Sequence, residues 1–336
     1  MPIVPNRRRF LTQLGIASAA GLGFGGAAAM LASAEAQPEV TAVRLEKAPG
    51  ICLAPQYVVE SLLYAEGFTD VSYHAIDVLP TQAVAHNLLD WELEFSPAII
   101  ADVDSGTPLT IVAGLHTGCA ELVAHDHVRS IVDLKGKRIG VPGDFNTPRH
   151  LVSLMTRFVG LNPDRDLRWV SVPDSDLIEL FVERKIDAFL AVPPETQEIR
   201  ARKIGHSIVS TTYDRPWSQY FCCMLVGRTE FVRRYPVATK RFVRAILKAT
   251  DLCANEPERM ARLMVDQGFT PRYDYALQTL REVPYGTWRD FDPEDTVRFY
   301  SLRMHEAGFA KSAPQRLIAE HTNWRFLNEI KHELKI

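Results

Sequence analysis

Cysteine is scarce in this chain, five residues among 336, at irregular spacings that do not make a disulfide scaffold. After residue 36 no apolar run reaches the roughly 20 residues a membrane span needs. Catalytic signatures are missing as well: there is no G-x-S-x-G elbow, no H-E-x-x-H, and no G-x-G-x-x-G opening a helix. Gly136-Lys137-Arg138 lacks the spacing and the Ser/Thr of a phosphate-binding loop. His125-Asp126-His127 alternates across an extended run and reads as a solvated turn, and Asp102-Val103-Asp104-Ser105-Gly106 lacks the remaining ligands of a calcium loop. No repeat of solenoid period is visible. A basic excess is also lacking. Without residues 1–36 the chain loses three arginines and one glutamate, so its net charge moves from −3 to −5, which argues against a nucleic-acid partner.

What is present begins with an export leader. Arg7-Arg8-Arg9-Phe10-Leu11 precedes a small-residue apolar run from Leu14 to Leu31, and Ala32-Ser33-Ala34 and Ala34-Glu35-Ala36 offer cleavage sites. The paired arginines place it in the twin-arginine class, with cleavage near Ala34 or Ala36 and a periplasmic destination. No cysteine follows the run within the leader, which removes a lipoprotein anchor.

The body of the chain alternates short strands with amphipathic helices, the pattern of an α/β fold. Thr41–Leu45 reads as a strand, 55–66 as a helix and Val71–Ala75 as a second strand, a βαβ unit with parallel pairing. The same strand, Gly/Pro loop and Pro-started helix recur at 138–160, with Thr147 as N-cap and Pro148 at the first helical position. Strands at 108–115 and 120–124, and again at 221–226, mark crossings between two lobes. From Thr229 onward everything reads helical, including single helices over 231–255 and 314–335. Cys222 and Cys223, adjacent in a strand, point to opposite faces and pack in the core.

Leu134-Lys-Gly-Lys-Arg-Ile-Gly-Val141, Val159-Gly-Leu-Asn-Pro163, Asp187-Ala-Phe-Leu190 and Arg234-Tyr-Pro236 with its following helix resemble a bacterial solute-binding family. It serves ABC importers of nitrate, sulfonates, taurine and thiamine-pyrimidine precursors. The resemblance covers 41–336 and implies a type II periplasmic-binding-protein fold: two α/β lobes, two crossing hinge strands, and a helical C-terminal region packed on lobe 1. It divides the chain into the leader (1–36), lobe 1 (37–122 and 219–336) and lobe 2 (123–218). It also implies a monomer that captures a small polar or anionic organic solute and delivers it to a permease and ATPase at the inner membrane, without cofactor, metal or catalysis. A sensor subunit of the same fold, or an enzyme built on it, are the alternatives.

Ligands of open α/β sheets collect at the carboxyl ends of strands. That rule nominates Cys52, Pro55, Gln56, Ser96, His116 and Thr117 on one lobe, and Asn146, Thr147 and Glu195 on the other, with Trp217 and Tyr220 as a flat wall. Asn146, Thr147 and Ser96 are hydrogen-bond partners beside opposed helix starts, which favour an oxyanion or a polar heterocycle. His116 is either a satisfied structural histidine or a ligand contact. Glu195 is either a helix N-terminal carboxylate or the partner of a cationic group, and in the second case it repels an anion. Cys52 and Cys119 fall on neighbouring loops, as a disulfide or as free thiols. Changing Arg8 and Arg9 together to Lys is expected to strand the protein in the cytoplasm on cell fractionation; continued export excludes the twin-arginine route.

Overall fold

In the computed structural model, residues 35–48, 50–143, 146–173 and 176–335 are described, the side chains of 146 and 147 excepted. The export leader therefore lies outside the described residues. Among them, no helix is long and apolar enough to cross a membrane.

The described chain opens as its pattern predicts. β1 (Ala42–Glu46) and β2 (Asp70–His74) pair in parallel, joined by a 3-10 turn (Ile51–Leu53) and two short helices, α1 (Ala54–Val58) and α2 (Glu60–Ala65). The single helix expected over 55–66 is interrupted at Val59. The end of α2 is held by Glu66, whose carboxylate receives both Nε (2.9 and 3.0 Å) and Nη2 (2.6 Å) of Arg244. Then come α3 (Pro80–Ala85), β3 (Trp91–Phe95), α4 (Ser96–Asp104) and β4 (Leu109–Thr117). β4 runs two residues further than its apolar stretch suggests, so His116 and Thr117 are strand residues and not loop residues.

A five-stranded sheet follows, built from β5 (Glu121–Ala124), β6 (Arg138–Pro142), β7 (Arg168–Val172), β8 (Ala188–Ala191) and β9 (His206–Ser210). Its spatial order is β7-β6-β8-β5-β9. β6 is parallel to β7 and β8, whereas β5 is antiparallel to both its neighbours. Helices α5 (Asn146–Phe158), α6 (Pro163–Asp166), α7 (Leu177–Val182) and α8 (Glu195–Arg202) accompany it. Because α5 starts at Asn146, Thr147 and Pro148 lie inside its first turn, so Thr147 is not the cap.

β10 (Phe221–Arg228) then returns to the first group of strands and inserts between β3 and β4, antiparallel to both. The remaining chain is helical, as predicted: α9 (Thr229–Arg234), α10 (Pro236–Asn255), α11 (Pro257–Asp266), α12 (Tyr273–Glu282), α13 (Pro293–Glu306), α14 (Pro314–His321) and α15 (Arg325–Leu334). Two predicted helices are split. Pro236 lacks an N–H and separates α9 from α10. Thr322 forms a bridge with Ile111, and the Asn323 N–H donates to the Ile111 carbonyl at 2.9 Å, so an edge contact with β4 breaks 314–335 in two. Ala238, Phe242, Ala245, Ile246, Ala249 and Cys253 line the buried face of α10 at helical spacing. That face packs on α1, α2 and β4, so the C-terminal helices belong to the β1–β4 group.

Two short segments connect the groups, 118–120 and 211–220, and they touch. Thr211 Oγ1 accepts from the N–H groups of Cys119 (3.2 Å) and Ala120 (3.0 Å) and donates to the Ala120 carbonyl (2.9 Å). Gly118 has φ +63°, and a Cβ there would sit 2.4 Å from Thr212 Cα, so only glycine permits this approach. The expected crossings near 119–123 and 220–226 lie beside these segments. Thr211→Val keeps the volume but orphans two buried N–H groups. It is expected to cost about 2–4 kcal/mol, read from the urea midpoint, whereas Thr211→Ser retains most of the stability.

Candidate functional site

Four strands end at one edge of the first group: β1 at Glu46, β3 at Phe95, β4 at Thr117, and β10 with its first residues. Chain pairing sets Cys223 opposite His116, but the register slips between Phe221 and Cys223 and again before Met224. A bulge suspends the in-out alternation of a strand. The expectation that Cys222 and Cys223 face opposite sides fails for this reason: both thiols turn to the same cluster. The sulfurs of Cys52, Cys119 and Cys223 all lie within 4.8 Å of one another, and Cys222 Sγ is 3.0 Å from Cys119 Sγ. All five cysteines are free, so Cys119 has Cys222, not a bonded Cys52, as its nearest sulfur.

His116 is fully buried in this cluster. Its Nδ1 is bonded to the Gly118 carbonyl at 2.9 Å, its ring meets Tyr285 edge-on at 5.2 Å, and Nε2 has no partner. Tyr285 in turn donates its hydroxyl to the Cys52 carbonyl at 2.9 Å. Hydrogen bonds from the Cys119, Cys222 and Cys52 thiols, together with the His116 ring, hold the Cys223 thiol well below its ordinary range. Those three thiols are pushed up, by the neighbouring thiols and by burial.

Three carboxyl groups border the thiols. Burial pushes Glu94 up to about 8, against a hydrogen bond from its neighbour's N–H (Phe95, 2.5 Å). Burial likewise lifts Glu46 to about 7, offset by a hydrogen bond with Glu92, and raises Glu92 itself well above the carboxylate range. Among the described residues no Lys or Arg pairs with any of the three. Of the three, only Glu94 falls at a strand end that the carboxyl-end rule reaches; the sequence did not single out Glu46 or Glu92.

The nominated residues divide by what their polar atoms already do. Pro55 and Gln56 are buried in α1, and Gln56 Nε2 donates to the Glu46 carbonyl (2.9 Å) while Oε1 has no partner. Ser96 Oγ donates to the Phe221 and Cys222 carbonyls (2.7 and 3.2 Å), fastening β10 beside the bulge. The Thr117 N–H donates to Thr287 Oγ1 at 3.1 Å. Glu195 accepts from the Val192 N–H at 3.1 Å, the local role of a helix-start carboxylate. Tyr220 stacks on Phe299 at 3.8 Å, and Trp217 stands edge-on to Phe158 and Phe299 at 6.0 Å. The Asn146 and Thr147 side chains lie outside the described residues. The two groups of elements meet here as well. The Ile51 N–H donates to the Pro193 carbonyl (3.2 Å), and Arg200 and Gln197 of α8 bond Glu282 of α12 at 2.5 and 3.3 Å.

A cavity of about 430 Å³ lies elsewhere, at the opposite ends of β1 and β10, beside Arg44, Asn87, Asp90 and Arg228. Its chemistry is spent internally: Arg44 holds Asp90 at 2.7 Å, and both Arg44 and Arg228 bond Asn87.

Burial raises Glu94, so the folded chain holds its proton at pH values where the unfolded chain has lost it. Stability from this group is complete below the unfolded value near 4.3 and is lost as pH rises through about 8. Glu94→Gln removes the titration. Its stability relative to wild type is expected to rise between pH 5 and pH 8 in urea unfolding; a constant difference would show that Glu94 ionises normally.

Residues 106–265 match the NMT1-like family. A Brucella abortus protein provisionally named a binding protein is 28% identical over 138 residues, 41% of this chain and 43% of that relative. The 4-amino-5-hydroxymethyl-2-methylpyrimidine phosphate synthase of Saccharomyces cerevisiae is 25% identical over 211 residues, 59% of this chain and 60% of the enzyme. The chain thus spans less than two thirds of either relative. The periplasmic nitrate-binding protein NrtA from Synechocystis superposes with a TM-score of 0.74 at 14% identity, covering 89% of this chain and 90% of that one. Over residues 106–265 the chain resembles the NMT1-like family, and over 82–89% of its length it shares the α/β fold of solved nitrate- and sulfonate-binding proteins.

Proposed function

We propose that this protein is the periplasmic solute-binding component of an ABC importer, exported by its twin-arginine leader. It captures a small polar molecule between two lobes, 37–122 with 219–336 and 123–218, and presents it to a permease and ATPase. The observation that carries this reading is the meeting of the two groups of elements over a polar floor. The Ile51 and Pro193 loops touch, and Arg200 of α8 reaches Glu282 of α12. Closure of this kind follows from a ligand that binds the closed arrangement better than the open one.

The floor favours a particular charge. Glu46, Glu92 and Glu94 stand beside the thiols without a cationic side chain to hold an oxyanion, so a neutral heterocycle or a cation fits better than nitrate or a sulfonate. In a thermal-shift series, pyrimidines and small amines are expected to raise the unfolding midpoint and simple anions are not. The reverse ranking would overturn this assignment. Glu282→Gln breaks the exposed cross-lobe ion pair and is expected to weaken the binding ligand by at most about fivefold in calorimetry, with a larger radius of gyration in solution.

One observation favours a second reading. Cys223, its thiolate favoured, faces His116, a nucleophile beside a base, and one relative is named as a synthase. Such an enzyme would consume the ligand that stabilises it, and Cys223→Ser would abolish turnover; a binding component returns the ligand intact.

A further inference from the structure

We propose that Cys52, Cys119, Cys223 and His116 form a binding site for one thiophilic divalent cation, with Zn²⁺ as the ion whose preferred set they match. Three observations converge on it. First, the three sulfurs already form a triangle within 4.8 Å. A tetrahedral zinc with Zn–S near 2.3 Å asks for S–S separations of about 3.8 Å, so no edge has to close by more than about 1 Å. Second, His116 is fully buried, with Nδ1 engaged by the Gly118 carbonyl and Nε2 unpartnered. A backbone carbonyl on one ring nitrogen is how proteins fix the tautomer and aim of a histidine that ligates through the other. Third, His116 stands opposite Cys223 on the neighbouring strand, so its ring adjoins one corner of the sulfur triangle and has to move in to complete the set.

Disulfide pairing among the thiols leaves the Nε2 atom orphaned in the core, whereas a cation satisfies it together with the three sulfurs. On binding, the three thiols release their protons to solvent and the ion takes their place. Cys222, 3.0 Å from Cys119, is left to donate its S–H to a ligating sulfur. Three cysteines and a histidine close the tetrahedron, which makes the site structural. It ties together the turn that meets Pro193, the 118–120 connection and the start of β10. The proposal stands apart from the transport reading, since a closed site neither requires nor excludes a transported solute.

The full chain, recovered from its export compartment and exposed to Zn²⁺ alone, is expected to retain about one zinc per chain after desalting, by elemental mass spectrometry. Cys52→Ser, Cys223→Ser and His116→Ala should each lose it, while Cys253→Ser, a buried cysteine outside the cluster, should not. Should the cluster variants fail to fold, wild-type protein loaded with Co²⁺ serves instead, and a thiolate-to-cobalt charge-transfer band is expected. A chain that retains no zinc, that keeps it in the Cys52 and Cys223 variants, or whose thiols prove to be paired as disulfides by intact mass would overturn the proposal.

Discussion

The contact on which the site depends is the seam where the chain passes twice between its two groups of strands. Thr211, from the second passage, binds both N–H groups and a carbonyl of the first, and Gly118 leaves no side chain to separate them. Short hydrogen bonds between two connections leave each little freedom. The end of β4 and the start of β10 are therefore held side by side. His116 lies on one and Cys222 and Cys223 on the other, so the seam sets the geometry of the thiol cluster.

From that seam the polar floor follows by packing. β10 enters between β3 and β4, its bulge turns two neighbouring thiols inward, and Ser96 fastens the bulge by its carbonyls. Helices α3 and α4 pack on β3, and α10, α14 and α15 on β4, so carboxyl groups that an uncovered strand would leave in water lie inside. Burial without a cationic partner raises their affinity for protons. The outcome is a buried group of carboxyls and thiols in a fold whose solved neighbours include a nitrate-binding protein. Fold and site chemistry are separable here: the strands place the loops, and the side chains on them decide what can bind.

Helical periodicity and strand length made most of the fold legible. The opening βαβ unit, the helix Tyr273–Glu282 and the Asp292 cap, which accepts from the Glu294 N–H at 2.9 Å, all follow from local pattern. The failures have tertiary causes. Thr322 leaves its helix to bridge β4, and His116 and Thr117 extend a strand because β10 lies alongside. Cys52, Gln56, Ser96 and His116 do gather near the strand ends of one edge, where the rule for α/β sheets looks for a site. Their duties were not: Ser96 and Thr117 hold backbone, and Glu195 serves its own helix start.

What the sequence determined by itself was class and order: alternating strands and helices, a helical C-terminal third, and the loops where a site could lie. These depend on neighbours within a few residues, and local spacing records them. Only the tertiary structure brought Cys52, Cys119, Cys222 and Cys223 together across 171 positions of chain and placed Glu46, Glu92 and Glu94 beside them. A bulge, a buried carboxyl group and an orphaned imidazole nitrogen are properties of packing, and no local pattern encodes them.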